Sequence, residues 1–182
     1  MNYQIEVHVR ELPVRELLEH YRNVVLVSDA CRLCPHYGKV WSCPPDLPDA
    51  YGYLEPYEQA FVIAVKVMYP EAVREMVKNA EDAQMIRDQS YEPVKKQLLR
   101  ALLSLEEVAT AGKTLGAGRC ILCDHCTRAA KKPCRYPEKR RYSVTGFGFD
   151  FTKIFTEIFN IALLWSKDGL PEYDVAVAMF VV

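Results

Sequence analysis

The residues able to do chemistry in this chain are its seven cysteines. Four of them form the run Cys120-Ile-Leu-Cys123-Asp-His-Cys126, followed by Cys134-Arg-Tyr-Pro137. Each two-residue gap is a tight turn that brings two sulfurs to one side. Three thiolates spaced this way can cover one face of an iron–sulfur cubane, leaving one iron for a more distant thiolate. A seven-residue last gap lets Cys134 supply that ligand to the same cluster. Zinc is the competing metal. Four-cysteine zinc sites usually pair two C-x2-C knuckles across a spacer, and three adjacent ligands do not make two knuckles. A 4Fe-4S cluster on Cys120, Cys123, Cys126 and Cys134 is therefore the first expectation, with zinc as the alternative. His125, between two of these ligands, reads as a solvent-facing or outer residue.

The other three are Cys31, Cys34 and Cys43, in Cys31-Arg-Leu-Cys34-Pro-His-Tyr-Gly38 and Val40-Trp41-Ser42-Cys43-Pro44-Pro45. Gly38 permits a turn that a side chain would hinder. The two prolines forbid helix and stiffen the exit. Three thiolates leave a metal one ligand short. His36, water, a substrate or a residue brought in by the fold would complete a second site. An exchangeable position of that kind suits an enzyme better than an electron carrier. Trp41, Tyr37, Tyr51, Tyr53 and Tyr57 would either line a pocket over this group or pack around its loop, and packing is the plainer role.

Composition narrows the field. Half of the 182 residues are hydrophobic, enough for a core without disulfide staples. An odd number of cysteines leaves one outside any intramolecular disulfide scheme. The first residues, Met-Asn-Tyr-Gln-Ile-Glu-Val-His, offer neither a basic n-region nor an apolar h-region. The expectation is a cytoplasmic chain, where clustered cysteines serve as metal ligands or redox groups rather than disulfides. Formal net charge is -1, so bulk charge does not point to a polyanion. No apolar run is long enough for a membrane span. No Ser-His-Asp triad, nucleotide fingerprint or acidic dyad can be read, so catalytic residues are not assigned.

The elements that must position these cysteines follow from periodicity. Ile5, Val7 and Val9 alternate with polar residues, as in a half-buried strand. Pro13 opens a short helix through Tyr21. Val24–Val27 reads as a short strand leading into Cys31. Ala60–Tyr69 is an apolar run expected at the centre of a sheet, buried on both faces. Residues 71–90 are helix-prone. Pro93 suits the first turn of a longer helix whose apolar stripe is Val94, Leu98, Ala101, Leu102, Leu105, Val108 and Ala109, with a stop at Gly112. Thr152–Trp165 reads as a buried helix and Asp174–Val182 as a last strand. The expected fold class is α+β: a single domain over 1–182, with a small mixed or antiparallel sheet, helices packed on it, and cysteine-rich metal loops at 31–45 and 120–137. Because 76 residues separate Cys43 from Cys120, only the fold decides whether the loops meet.

Taken together, C-x2-C-P, Tyr37-Gly38, Trp41-Ser-Cys-Pro-Pro45, C-x2-C-x2-C and Cys134-Arg-x-Pro137 resemble the "predicted metal-binding protein" family of anaerobic archaea and bacteria. Arg141-Tyr-Ser143 and Gly146-Phe-Gly-Phe-Asp150 continue the likeness, although a phenylalanine stands where an aliphatic residue precedes the family's aspartate. The resemblance implies metal binding and names no reaction. The resulting expectation is an iron–sulfur protein of redox or electron-transfer function in an anaerobic pathway. The alternatives are a small iron–sulfur enzyme open at Cys31, Cys34 and Cys43, and a zinc-stabilised binding module. The basic segment 128–141 (Arg128, Lys131, Lys132, Arg135, Lys139, Arg140, Arg141) would offset cluster charge, or receive an acidic redox protein or an anionic small molecule. No nucleic acid and no membrane partner is expected.

Overall fold

In the computed structural model the described residues are 2–109, 111–165 and 169–182. Four strands, β1 (Gln4–Pro13), β2 (Gln59–Met68), β3 (Lys113–Leu115) and β4 (Tyr173–Val181), form one antiparallel sheet in the order β1-β2-β4-β3. The α+β class is as expected. β2 lies inside the sheet with Ala60, Val62, Ala64 and Val67 fully buried, which explains its unbroken apolar run.

Side chains alternate across a strand, so β2 feeds two cores. Val62 and Ala64 meet Leu17 and Leu18 of α1 (Val14–His20), Leu54 of α3 (Ala50–Leu54) and the aromatics Phe147–Phe159. Ile63, Val65 and Val67 meet Val94 and Leu102 of α6 (Tyr91–Val108) on the opposite face. The short α4 (Glu71–Glu75) and α5 (Ala80–Gln89) lead into α6. The α6 stripe is rotated from the expected one: Leu99 is buried, while Leu105 and Val108 are 41% and 76% exposed.

Three expectations are corrected. First, β1 is an edge strand, not a half-buried one. Ile5, Val7 and Val9 stay 47%, 61% and 45% exposed because α6 packs on β4 and β3 at the other side of the sheet. Second, Val24–Val27 is not a strand but the first turn of α2 (Val24–Leu33). The Asn23 side chain accepts the Leu26 N–H at 3.2 Å, and this N-cap outweighs the β-preference of the valines. Third, the helix expected over 152–165 is shorter. α7 (Phe151–Ile154) continues as a π turn over Phe155–Phe159 and stops at Asn160, whose φ is +53°.

Candidate metal centre

The first cysteine loop starts on a helix. α2 carries Cys31 in its last turn, and Cys34 caps it through its N–H on the Cys31 carbonyl at 3.0 Å. Gly38, at φ +68°, turns the chain back so that its N–H reaches the Pro44 carbonyl at 3.0 Å. The second loop leaves β3 and returns at Ser143, which bridges to Gly116. One carboxylate closes its base. Glu106 of α6 accepts the Thr114 N–H at 2.5 Å and the Arg141 guanidinium at 2.8 Å and 3.0 Å.

The two loops are bonded to each other through Ser42, which is fully buried. Its hydroxyl accepts the Cys120 N–H at 2.7 Å, and its carbonyl accepts the Ser143 N–H at 2.8 Å. Trp41 donates from Nε1 to the Lys132 carbonyl at 3.1 Å. Arg128 crosses the other way. Its guanidinium donates to the carbonyls of Val40 and Cys43, both at 2.9 Å, pairs with Asp46 and stacks over the Trp41 ring at 5.1 Å. Gly146 adds a buttress: a Cβ there would come 2.5 Å from Leu47 Cδ1 and 3.2 Å from Pro44. Only a bare backbone lets this segment support the Pro44–Pro45 exit.

Cys120, Cys123, Cys126 and Cys134 all line one small cavity of about 20 Å³, walled also by Trp41, Leu122 and Tyr136. Burial raises the Cys120 thiol, and the other three cysteines of the group raise it further. Cys31, Cys34 and Cys43 are likewise close enough to act on one another. Burial pushes the Cys43 thiol up to about 11, against the opposing hydrogen bond with Ser42, and Cys34 and Cys31 add to the rise. Burial raises Cys31 as well, with Cys34 adding to it. All seven cysteines are free thiols. Among the described residues no three Cys, His, Asp or Glu side chains converge as a chelate for a single ion. The four thiols around one cavity are nevertheless of the donor type that a thiolate-loving metal takes, and they are the side chains that could hold one.

Other sequence candidates find different places. Tyr53 stacks on Phe147 at 5.2 Å and meets Tyr142 edge-on at 5.4 Å, inside the core. Tyr57 packs against the same core, and Tyr51 donates to the Leu18 carbonyl at 3.3 Å. Tyr37 alone of the named tyrosines lines a cleft of about 300 Å³ beside Cys31, with Arg22, Pro44 and Pro45. His125 is exposed, and its carbonyl, not its ring, is engaged, by Arg135 at 2.8 Å. His36 is half-buried, and its pKa is lowered by burial and then by the nearby Arg119 and Lys95. The basic run divides: Arg128 and Arg141 are buried in the loop supports, while Lys131, Lys132, Arg135 and Lys139 are exposed.

Sequence reasoning passed over Ser42, Glu106 and the supporting role of Arg128. Ser42 had a signal in its position next to Cys43. Glu106 had none, because its partners lie eight and 35 residues away.

Searches of curated proteins and of solved structures return no match. A family model does match, over residues 14–179, which takes in both cysteine loops, β2, β3 and most of β4. Its description, predicted metal-binding protein, agrees with four thiols gathered at one cavity, and the chain belongs to that family (DUF2284).

Proposed function

We propose that the metal is an iron–sulfur cluster held by Cys120, Cys123, Cys126 and Cys134, and that the protein is a redox or electron-transfer component. The observation that carries this reading is the single cavity bounded by all four thiols, supplied by a C-x2-C-x2-C run with one distant cysteine. When bound, such a cluster supplies one-electron transfer. The chain's part is to hold four thiolates on a loop clamped by Glu106, and to wall them with Trp41, Leu122 and Tyr136, which limit water access. Lys131, Lys132, Arg135 and Lys139 give the neighbouring surface a positive face for an acidic redox protein.

A second reading is favoured by the cleft beside Cys31. A three-thiol group next to a 300 Å³ cleft with Arg22 in its wall suits a small enzyme acting on an anionic substrate. The deciding experiment is an iron, acid-labile sulfide and zinc assay on anaerobically purified protein. Iron with sulfide and broad visible absorption is expected. Stoichiometric zinc without sulfide would overturn both readings in favour of a zinc-stabilised binding module.

A further inference from the structure

A separate cavity of about 410 Å³ lies between α2, the start of α6, the Ala117–Gly118 turn and residues 149–152. Its size is that of a small-molecule site. Both cysteine arms border it: Ala30 in its wall precedes Cys31, and Gly118 stands two residues before Cys120. The wall is mostly apolar, formed by Val27, Phe149, Phe151, Leu163, Val175 and Val177. Leu26 and Trp165, 55% and 84% exposed, extend that apolar character to the rim.

Two charged side chains interrupt it, Lys95 and Asp150. Lys95 lies in the wall with its side chain only 10% exposed. Its ammonium sits at the Gly118 end, where a Cβ on that glycine would come 3.9 Å from Nζ. Lys95 donates to Glu92 at 2.9 Å, but Glu92 also pairs with Arg119 at 3.4 Å. Two cations thus share one carboxylate at the Gly118 end of the cavity, where the Lys95 ammonium also lies over the Tyr91 ring at 5.1 Å, and Asp150 is the wall's own carboxylate. An ammonium has three donors, and one is used on Glu92. Thr145 and Thr152 also line the cavity, and two other polar side chains of the wall are engaged internally. The Tyr91 hydroxyl donates to the Val175 carbonyl at 3.1 Å, and the Asp150 carboxylate accepts the Lys153 N–H at 3.1 Å.

A mostly apolar cavity with a buried ammonium at one end, its carboxylate partner shared with Arg119, suits a ligand with one anionic end and a hydrocarbon body. We propose that this cavity binds an apolar monocarboxylate, its carboxylate on Lys95 and its hydrocarbon against the Phe149, Phe151, Val175 and Val177 wall. The site does not rest on which metal the cysteines hold.

The test is calorimetric titration of the full chain, purified anaerobically with its metal, using octanoate, octanol and acetate as probes. Octanoate binds saturably, and octanol and acetate each bind about tenfold more weakly or worse, as loss of a charge-assisted bond or of the apolar contact requires. Lys95→Gln brings octanoate down to the affinity of octanol. Ala30→Phe, a change at an exposed position of the wall, weakens octanoate and octanol alike. Equal binding of octanoate and octanol, or octanoate affinity unchanged in Lys95→Gln, overturns the anion assignment. Absence of saturable octanoate binding to the unmodified chain overturns the site. Metal and sulfide measured on the same samples report on the cluster independently.

Discussion

The Ser42 hydroxyl accepts the backbone N–H of Cys120 at 2.7 Å, joining positions 78 residues apart at the point where the two cysteine loops meet. Ser42 is fully buried, so Ser42→Ala leaves the Cys120 N–H without a partner, at a cost of about 1–3 kcal/mol. The Ser143 N–H is held by the Ser42 backbone carbonyl, which the substitution keeps. Hydrogen exchange should therefore show the Cys120 amide losing protection while Ser143 retains it. Equal protection of Cys120 before and after the change would show that this bond does not join the loops.

Glu106 and Arg141 predict an acid-sensitive loop. Burial raises the Glu106 pKa, but the bonds from Arg141 and Thr114 prevail and hold it below the ordinary 4.5. A carboxylate with a depressed folded-state pKa adds stability that is fully present above its unfolded value and is lost as pH falls through the folded one. Limited proteolysis across residues 116–140 should accelerate below about pH 4.5, in a step that Glu106→Gln abolishes. At neutral pH that variant leaves the buried Arg141 its bonds to the Glu138 and Arg140 carbonyls but no counter-charge, and should lose up to roughly 3–5 kcal/mol. A variant with the same acid profile as the parent would remove Glu106 from this role.

Arg128 is predicted to support the first loop although it belongs to the second. Its bonds to Val40 and Cys43, its pairing with Asp46 and its stacking on Trp41 need a planar, forked cation. Lysine cannot reproduce that geometry. Arg128→Lys and Arg128→Met should both lower the melting temperature, and reactivity of Cys43 toward a thiol reagent should rise in both. Full rescue by lysine would reduce Arg128 to a simple charge.

Metal content separates the two cysteine groups. Cys123→Ala should lower bound metal and expose residues 116–142 to protease, because closure of a loop on its metal is coupled to binding. Cys34, the exposed cysteine, lies outside the cavity of the second group. If the proposed ligands are Cys120, Cys123, Cys126 and Cys134, Cys34→Ala should therefore leave the metal of that group in place. Equal metal loss in both variants would mean that the seven cysteines act as one site.

What the sequence by itself determined is local. Spacing alone singled out both cysteine groups, because ligands two residues apart are brought together by a single turn. Apolar continuity alone identified β2; Pro13, at the N-cap of α1, and Pro93, in the first turn of α6, marked where those helices begin, since proline's missing N–H costs nothing there. Val24–Val27 misled because β-branched propensity is weak against an Asn23 cap. β1 misled because alternation reports a strand's two faces but not whether a helix covers one of them. The meeting of the loops at Ser42, the Glu106 clamp on Thr114 and Arg141, and the placement of Lys95 at the end of an apolar cavity were decided only by tertiary structure. Each joins residues on different elements, and a hydrogen bond or ion pair across such a distance leaves no periodic trace along the chain.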